Sequence, residues 1–239
     1  MINVDTVYQK VLALTNKEQR GYLTPQDFNL FANQAQMEIF EQYFHDVNIV
    51  RRSPGNDTVY ADYDDMLEEK LQIFEVVDGT ATIASYVGAG AGGVNKRLPD
   101  YIYRVHRVEY KNVECEILNT KDFNAVRHGG PLLRPTKDRP IANIRNGIIR
   151  CVIADTFVTP TGIFYFKVPD KVNWTYVVVA KQALYNHGST TGHFTLHPSE
   201  ENQVVNKILK LAGLSNQQPD VMQAGQGMDM ATIQQQPKI

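Results

Sequence analysis

The sequence predicts an α+β fold: a helical bundle of N-terminal helices and one C-terminal helix, with an inserted, mainly antiparallel β-rich domain and an extended C-terminal tail. Three observations support this prediction. Apolar residues recur at helical spacing through the first third of the chain and again after residue 198. Short runs rich in Val, Ile, Thr, Tyr and Phe, separated by Gly and Pro, fill the region between. After Leu214 the composition turns to Gln, Met and Gly.

Two helices are predicted at the start of the chain, over residues 4–16 and 24–47. Thr24 is a candidate N-cap of the second, Pro25 suits its first position because no N–H is needed there, and Asp27 lies near the free amides. The apolar residues of this long helix fall on two adjacent faces. One face carries Phe28, Phe31, Ala32, Ala35, Ile39 and Tyr43, and the other carries Met37, Phe40, Phe44 and Val47. The pattern is typical of the centre of a monomeric bundle, or of a helix packed inside one subunit and again against the next.

Two further helices complete the predicted bundle. Residues 64–75 show apolar residues on one side, after a polar stretch that contains a Pro-Gly turn. The last helix has Ser199 as its expected N-cap, acidic residues in its first turn and Gly213 as its expected end. We expect this helix to return and pack on the helical third of the chain.

The β-rich region contains seven predicted strands. They cover residues 80–87, 101–110, 113–118, 141–145, 148–154, 162–168 and 175–184. The clearest feature is Asn146-Gly147, a dipeptide that tolerates positive φ and favours a type I′ hairpin. A short helix is expected over residues 120–127, with Thr120 as its cap. Strands spaced this closely leave no room for crossover helices, so the sheet should be mainly antiparallel.

These elements divide the chain into four parts. Residues 1–78 are expected to form the first part of the helical bundle, 79–197 the β-rich domain, 198–214 the helix that returns to the bundle, and 215–239 an extended C-terminal arm. The arm has few large aliphatic residues and is expected to be disordered unless it binds another surface.

Composition limits the possible functions. The chain has 24 Lys and Arg against 26 Asp and Glu, so it carries no net basic charge for tight nucleic-acid binding. The basic residues near the middle are expected to be solvated surface: Arg127, Arg134, Lys137, Arg139, Arg145 and Arg150. Neither a membrane-spanning run nor a secretion signal is found, so we expect the protein to stay in the cytoplasm where it is made. Cys115 and Cys151 lie in apolar runs and are expected to be buried, reduced thiols.

Motifs that would indicate a ligand lack their required context. Gly88, Gly90 and Gly93 have the spacing of a dinucleotide fingerprint, but no helical pattern follows them, so a mobile loop is expected. His187, His193 and His197 lack a further metal ligand nearby and are expected to be scattered surface residues. No arrangement of nucleophile and base with its expected context is found. The sequence therefore predicts no enzymatic activity, no cofactor and no metal.

Two helical segments nevertheless resemble a known family. The stretches NKEQRGYLTPQDFN, FANQAQMEIFEQYF and LHPSEENQVVNKILKLAGL, with the β-rich middle between them, resemble head-to-tail connector proteins of crAss-like tailed bacteriophages, the adaptor or tail-ring subunits. The resemblance spans most of residues 1–214, and the β-rich middle is similar only in its general pattern of short β-prone runs. It implies a structural subunit in a twelvefold homo-oligomeric ring in the neck of the virion, between the portal protein and neighbouring tail or ring proteins. Double-stranded DNA would pass through this ring without specific binding, and no membrane would be involved.

The resemblance also suggests which residues meet a neighbour. The apolar faces of the long helix could supply one side of a heterologous contact, and the C-terminal arm could extend onto another protein. The expected interface residues are Phe28, Phe31, Met37, Phe40 and Phe44 on the helix and Val221, Met222, Met228, Met230 and Ile233 in the arm.

Two other classes of function stay open at this point. The chain could be a different virion or assembly component, such as a capsid-decorating or fibre-attachment protein that uses its β domain to bind a partner. It could also be a small nucleotide-binding protein that uses the glycine loop.

Overall fold

The computed structural model describes residues 1–15, 23–52, 58–89, 93–180, 182–188 and 191–215, together with Gly227 and Met230. The fold is α+β, as predicted. The chain forms two compact units: Met1–Ile73 with Pro169–Ile239, called here the helical unit, and Phe74–Val168, called the β unit.

The described residues form six α-helices and twelve β-strands. The helices are α1 (Val4–Thr15), α2 (Pro25–Arg52), α3 (Thr58–Gln72), α4 (Thr80–Ser85), α5 (Thr120–Arg127) and α6 (Glu201–Ser215). The strands are β1 (Glu75–Gly79), β2 (Gly88–Ala89), β3 (Asn95–Arg97), β4 (Ile102–Tyr110), β5 (Val113–Glu114), β6 (Glu116–Ile117), β7 (Ile141–Arg145), β8 (Ile148–Ile153), β9 (Thr156–Val158), β10 (Gly162–Lys167), β11 (Tyr176–Val179) and β12 (Gln182–Tyr185).

The helical unit is built around α2. The Thr24 hydroxyl accepts a hydrogen bond from the Asp27 N–H at 3.1 Å, which confirms Thr24 as the N-cap. The helix α6 packs on both α1 and α2, and α3 also packs on α2. The return of the last helix to the bundle is therefore confirmed.

Both ends of α6 differ from the prediction. A 3₁₀ turn, Pro198–Glu200, precedes the helix. The His197 side chain accepts a hydrogen bond from the Ser199 N–H, so His197 is the N-cap of this turn in place of the expected Ser199. At the other end the helix continues through Gly213 to Ser215. A helical glycine costs about 1 kcal/mol relative to alanine, but Gly213 is buried and the packing of α6 on two other helices outweighs this cost.

The β unit is a sandwich of two sheets. One has the strand order β1-β10-β4-β5, and the other has β2-β3-β8-β7-β6 with β9 also paired to β8. Among the described strands, β6 and β7 form a parallel pair while the remaining pairs are antiparallel, in line with the prediction of a mainly antiparallel fold. The inner faces of both sheets share one core, which includes Val108, Ile163 and Tyr165 from the first and Ala142, Ile149 and Cys151 from the second.

The start of the β unit differs from the prediction. Residues 80–87 were expected to form a strand, but Thr80–Ser85 is the helix α4, and the strand is Glu75–Gly79. The reason is tertiary: Ile83 and Tyr86 enter the sandwich core, while residues 75–79 pair with β10. The unit thus begins at Phe74 and not at residue 79.

The end of the β unit also lies earlier than expected. Residues 169–197, which we assigned to the β-rich domain, belong to the helical unit. The expected strand over residues 175–184 is a hairpin, because the chain reverses after Ala180, where φ is +49°. The strand expected over residues 113–118 is interrupted at Cys115. The short helix Thr120–Arg127 is confirmed, although Asn119 caps it in place of Thr120.

The hairpin between β7 and β8 is confirmed. Asn146 and Gly147 have φ values of +52° and +68°, as a type I′ turn requires. Replacing Gly147 with alanine should destabilise the β unit by about 1 kcal/mol, because a side chain disfavours this backbone conformation. Thermal denaturation would measure the loss.

Gly130 is the matched control for this substitution. A Cβ added there would meet nothing within 4 Å, and its φ is not in the left-handed region. Gly130→Ala should therefore leave stability unchanged or raise it by up to about 1 kcal/mol, because alanine lowers the entropy of the unfolded chain. Equal effects of the two substitutions would contradict the backbone explanation.

Candidate interaction surfaces

The apolar faces of α2 are covered in part by the chain's own elements. Phe28 and Phe40 are fully buried, and the ring of Phe28 lies 4.8 Å from that of Tyr8 on α1. Phe31, Met37 and Phe44 are half-buried. The expectation that this helix presents Phe28 and Phe40 to another subunit is therefore wrong, because α1, α3 and α6 already occupy the space around it.

A row of amide side chains on α2 has a different role that we did not predict. Asn29, Asn33 and Gln36 hydrogen-bond the backbone of residues 170–174. Asn33 binds both polar backbone groups of Val172, donating to its carbonyl at 2.9 Å and accepting from its N–H at 2.9 Å. Gln36 also accepts from the Thr195 N–H at 3.1 Å. The helix thus satisfies polar backbone groups of an irregular segment, in which Asn173 also forms a single β-bridge with Gly192.

Trp174 joins this segment to the rest of the helical unit. It is 1% exposed, its ring lies 4.0 Å from that of Tyr8, and its indole N–H donates to Asp5 at 2.9 Å. The rings of Tyr176 and Tyr185 stack near it at 5.7 and 5.9 Å. These two tyrosines are register partners at the base of the β11–β12 hairpin. The tryptophan therefore anchors the hairpin to the helices.

Beyond this base, the hairpin is apolar and exposed. The residues concerned are Val177, Val178, Val179 and Leu184, with 48%, 63%, 52% and 51% of their surfaces exposed. Val177, Val179 and Leu184 share one face, because Leu184 is the register partner of Val177. Val178 lies on the other face. The β11–β12 sheet has two strands, so aliphatic side chains are open to solvent on both of its faces.

A buried ion pair lies elsewhere in the helical unit. Lys70 on α3 donates to Glu200 at 2.6 Å, and the carboxylate side chain is 8% exposed. Burial, and then the negative charge of Glu200, raise the pKa of the neighbouring Tyr43 well above its usual value. Tyr43 therefore stays neutral, and this cluster stabilises the contact between helices rather than serving as an acid or base.

The buried polar groups of the β unit also fit a structural role. The Tyr86 hydroxyl donates to the buried Asp78 carboxylate, and burial, followed by this hydrogen bond, raises the pKa of Tyr86. Cys115 and Cys151 are buried free thiols, as expected, with their sulfur atoms 3.5 Å apart. The hydrogen bond to Cys151, together with burial, raises the pKa of Cys115. A thiol in this state is a poor nucleophile.

The histidines of the predicted surface set do not form a metal site in the described residues. His193 accepts a hydrogen bond from the Val4 N–H at 3.3 Å, and its ring stacks on that of His187. No group of three or more metal-binding side chains occurs in the part of the chain that the structure describes.

The glycine loop and the C-terminal arm are described only in part. Gly88 begins β2 and Gly93 has a φ of +65°, while Gly90 lies outside the described residues. In the arm, Met230 is 63% exposed, and Val221, Met222, Met228 and Ile233 also lie outside the described residues.

The helices that the structure describes include none that is both long enough and apolar enough to span a membrane. Comparison of the chain with protein-family models finds no match, and comparison with curated protein sequences finds none either.

Proposed function

We propose that this chain is a non-enzymatic structural subunit of a ring in the portal–tail connector of a crAss-like tailed phage. The ring would be twelvefold and located in the neck of the virion, with double-stranded DNA passing through its centre. The resemblance of the two helical segments suggests the family. The observation that carries the proposal is the exposed aliphatic hairpin β11–β12.

The hairpin supports a subunit contact for a physical reason. A two-stranded sheet is marginally stable in water unless it packs against something else. Here Trp174 supports only the base, while the valines beyond it expose apolar surface on both faces. Open strand edges with aliphatic side chains also favour pairing with another chain. We infer that a second copy of the protein covers this hairpin in the assembled ring.

Electron microscopy of the purified chain would test the proposal. We expect averaged images of a closed ring with a central hole, and their rotational symmetry would count the subunits. The double variant Val177→Asp with Leu184→Asp should remain monomeric, because two charges on one hairpin face would be buried without partners. Because Val177 and Leu184 are cross-strand partners, the two aspartates should repel each other and lower the stability of the hairpin by up to about 1 kcal/mol. Far-UV circular dichroism would confirm that the helical unit of the variant is still folded.

Leu30→Asp is the control for this variant. Leu30 is an aliphatic residue of α2 that is 65% exposed, so an aspartate introduced there, one charge against the two of the double variant, should leave the ring intact. A parent chain that stays monomeric at high concentration, both alone and with the portal protein of its phage, would contradict the proposed function. Rings formed by the hairpin double variant would show that another surface holds the subunits together.

A further inference from the structure

Four arginines lie on the outer face of the second sheet of the β unit. In β8, Ile149 and Cys151 enter the sandwich core, so Ile148 and Arg150 point to the opposite face. Arg97 of β3 and Arg145 of β7 are both register partners of Ile148, which places them on this outer face as well. Arg127 comes from α5, which packs on the same side of the sheet. We call Arg97, Arg127, Arg145 and Arg150 the arginine face.

The arginine face has unused capacity to bind anions. In the described part of the chain, none of its four members has a carboxylate oxygen within ion-pair distance, whereas Arg134 and Arg139 each have one and Arg107 has two. The Nε atoms of Arg127 and Arg150 are also shielded from solvent, with no hydrogen-bond acceptor among the described residues. Guanidinium groups bind carboxylates and phosphates with two parallel hydrogen bonds.

The distribution of charge along the chain points to the kind of ligand. Residues 74–168 contain 13 Lys and Arg against nine Asp and Glu, whereas the rest of the chain contains 11 against 17. The chain as a whole has a net charge of −2, which does not favour phosphate binding along a nucleic acid. A carboxylate surface complementary to the arginine face is instead present in the protein itself.

That surface is on α3. Asp65, Glu68 and Glu69 are exposed and lie at i, i+3 and i+4, so they share one side of the helix. We call these three residues the acidic strip. No ion pair joins any of them to another described residue, while Lys70 of the same helix is directed to the buried Glu200. The acidic strip and the arginine face are thus two unpaired surfaces of opposite charge.

We propose that the arginine face binds the acidic strip of a neighbouring copy of this chain. This inference rests on the proposed ring and names a contact within it. One surface of a subunit meets a different surface of the next, which is the heterologous arrangement that closes a ring. Arg97 and Arg145 lie about 10 Å apart across Ile148, since strands are spaced by about 4.8 Å. The carboxylates of the acidic strip lie on successive turns of α3, so they can reach both arginines.

Charge reversal on each side tests this contact. The variants are Arg97→Glu with Arg145→Glu, and Glu68→Arg with Glu69→Arg; all four residues are exposed, so folding should be retained. Each variant alone should assemble about tenfold more weakly or worse, because like charges then face each other. An equimolar mixture of the two should restore the ring, since alternating subunits pair opposite charges at every contact. The variant with all four reversals should assemble alone.

Sedimentation velocity and mass photometry would measure assembly, and two controls accompany them. Lys111→Glu with Lys137→Glu makes the same change in charge on exposed residues of the β unit and should leave assembly unchanged. Assembly of the parent chain should weaken at roughly 1 M salt, where the Debye length is about 3 Å.

Three outcomes would overturn this inference. If the parent chain and both reversed variants assemble equally well, the ring stands and this contact is wrong. If the variant with four reversals assembles but the mixture does not, the two surfaces pair within one chain. If the parent chain binds a duplex DNA oligonucleotide and only the arginine reversals abolish that binding, the face recognises phosphate. A parent chain that does not assemble at all would instead contradict the proposed function.

Discussion

Replacing Trp174 with alanine is expected to destabilise the helical unit by about 3–5 kcal/mol, the usual cost of removing a large buried aromatic side chain. The ring contacts Tyr8, Tyr176 and Tyr185, so the loss would leave a cavity between α1 and the base of the hairpin. It would also remove the hydrogen bond to Asp5. Denaturant unfolding followed by far-UV circular dichroism would measure the effect.

Trp174→Phe is the control that separates packing from hydrogen bonding. Phenylalanine keeps an aromatic ring but cannot donate to Asp5, so we expect a smaller loss of about 1–3 kcal/mol. Because Trp174 is the single tryptophan of the chain, its fluorescence also reports the unfolding of the helical unit in the parent protein. If alanine and phenylalanine cost the same, the ring packing contributes nothing and the explanation fails.

Replacing Asn33 with alanine is expected to cost about 2–4 kcal/mol. Asn33 satisfies both the N–H and the C=O of Val172, and Val172 is only 2% exposed. The substitution would leave two buried backbone groups without a partner, each of which costs about 1–3 kcal/mol. Thermal or denaturant unfolding of the full chain would measure the loss.

Gln34→Ala is the matched control on the same helix. Gln34 is exposed, and its amide donates to the side chain of Glu38 at 3.0 Å, so its removal should change stability by less than about 0.5 kcal/mol. Asn33→Asp should fall between the two, since a carboxylate can still accept from the Val172 N–H but cannot donate to its carbonyl. Similar effects of Asn33→Ala and Gln34→Ala would show that the backbone of Val172 finds other partners.

The features that the sequence predicted correctly depend on neighbouring residues. The start of α2 follows from a threonine cap followed by proline, and the β7–β8 turn follows from Asn146-Gly147. In both cases the backbone groups and the side chains that satisfy them lie within a few residues of one another. The bounds of the short helix Thr120–Arg127 were also predicted locally, although its cap is Asn119 and not the expected Thr120.

The failures involve partners that are distant in the sequence. Residues 80–85 form a helix because Ile83 and Tyr86 enter a core made by strands from elsewhere in the β unit. The amides of Asn29 and Asn33 bind a segment about 140 residues away. The reversal after Ala180 has no Gly, Pro or Asn to mark it. The sequence therefore predicted a single strand over residues 175–184 where the structure has two.

The candidate surfaces show the same division. Arg127, Arg145 and Arg150 were noted as a cluster from sequence spacing, but Arg97 joins them only because β3 pairs with β8. Their shared face depends on which residues of β8 enter the core. The exposure of the valines in β11 could not be predicted, because three consecutive valines are equally typical of a buried strand.

The sequence alone determined the α+β class, the amphipathic helices, the type I′ turn and the buried cysteines, because each follows from local backbone preference or from hydrophobic pattern. The tertiary structure alone decided that Phe28 and Phe40 of α2 are buried within their own chain, that the hairpin is exposed, and that four arginines lie on one side of the second sheet. A pattern of apolar residues states how much surface a helix must bury, but not which partner buries it. That partner is selected by contacts between residues far apart in the chain, and such contacts exist only once the chain is folded.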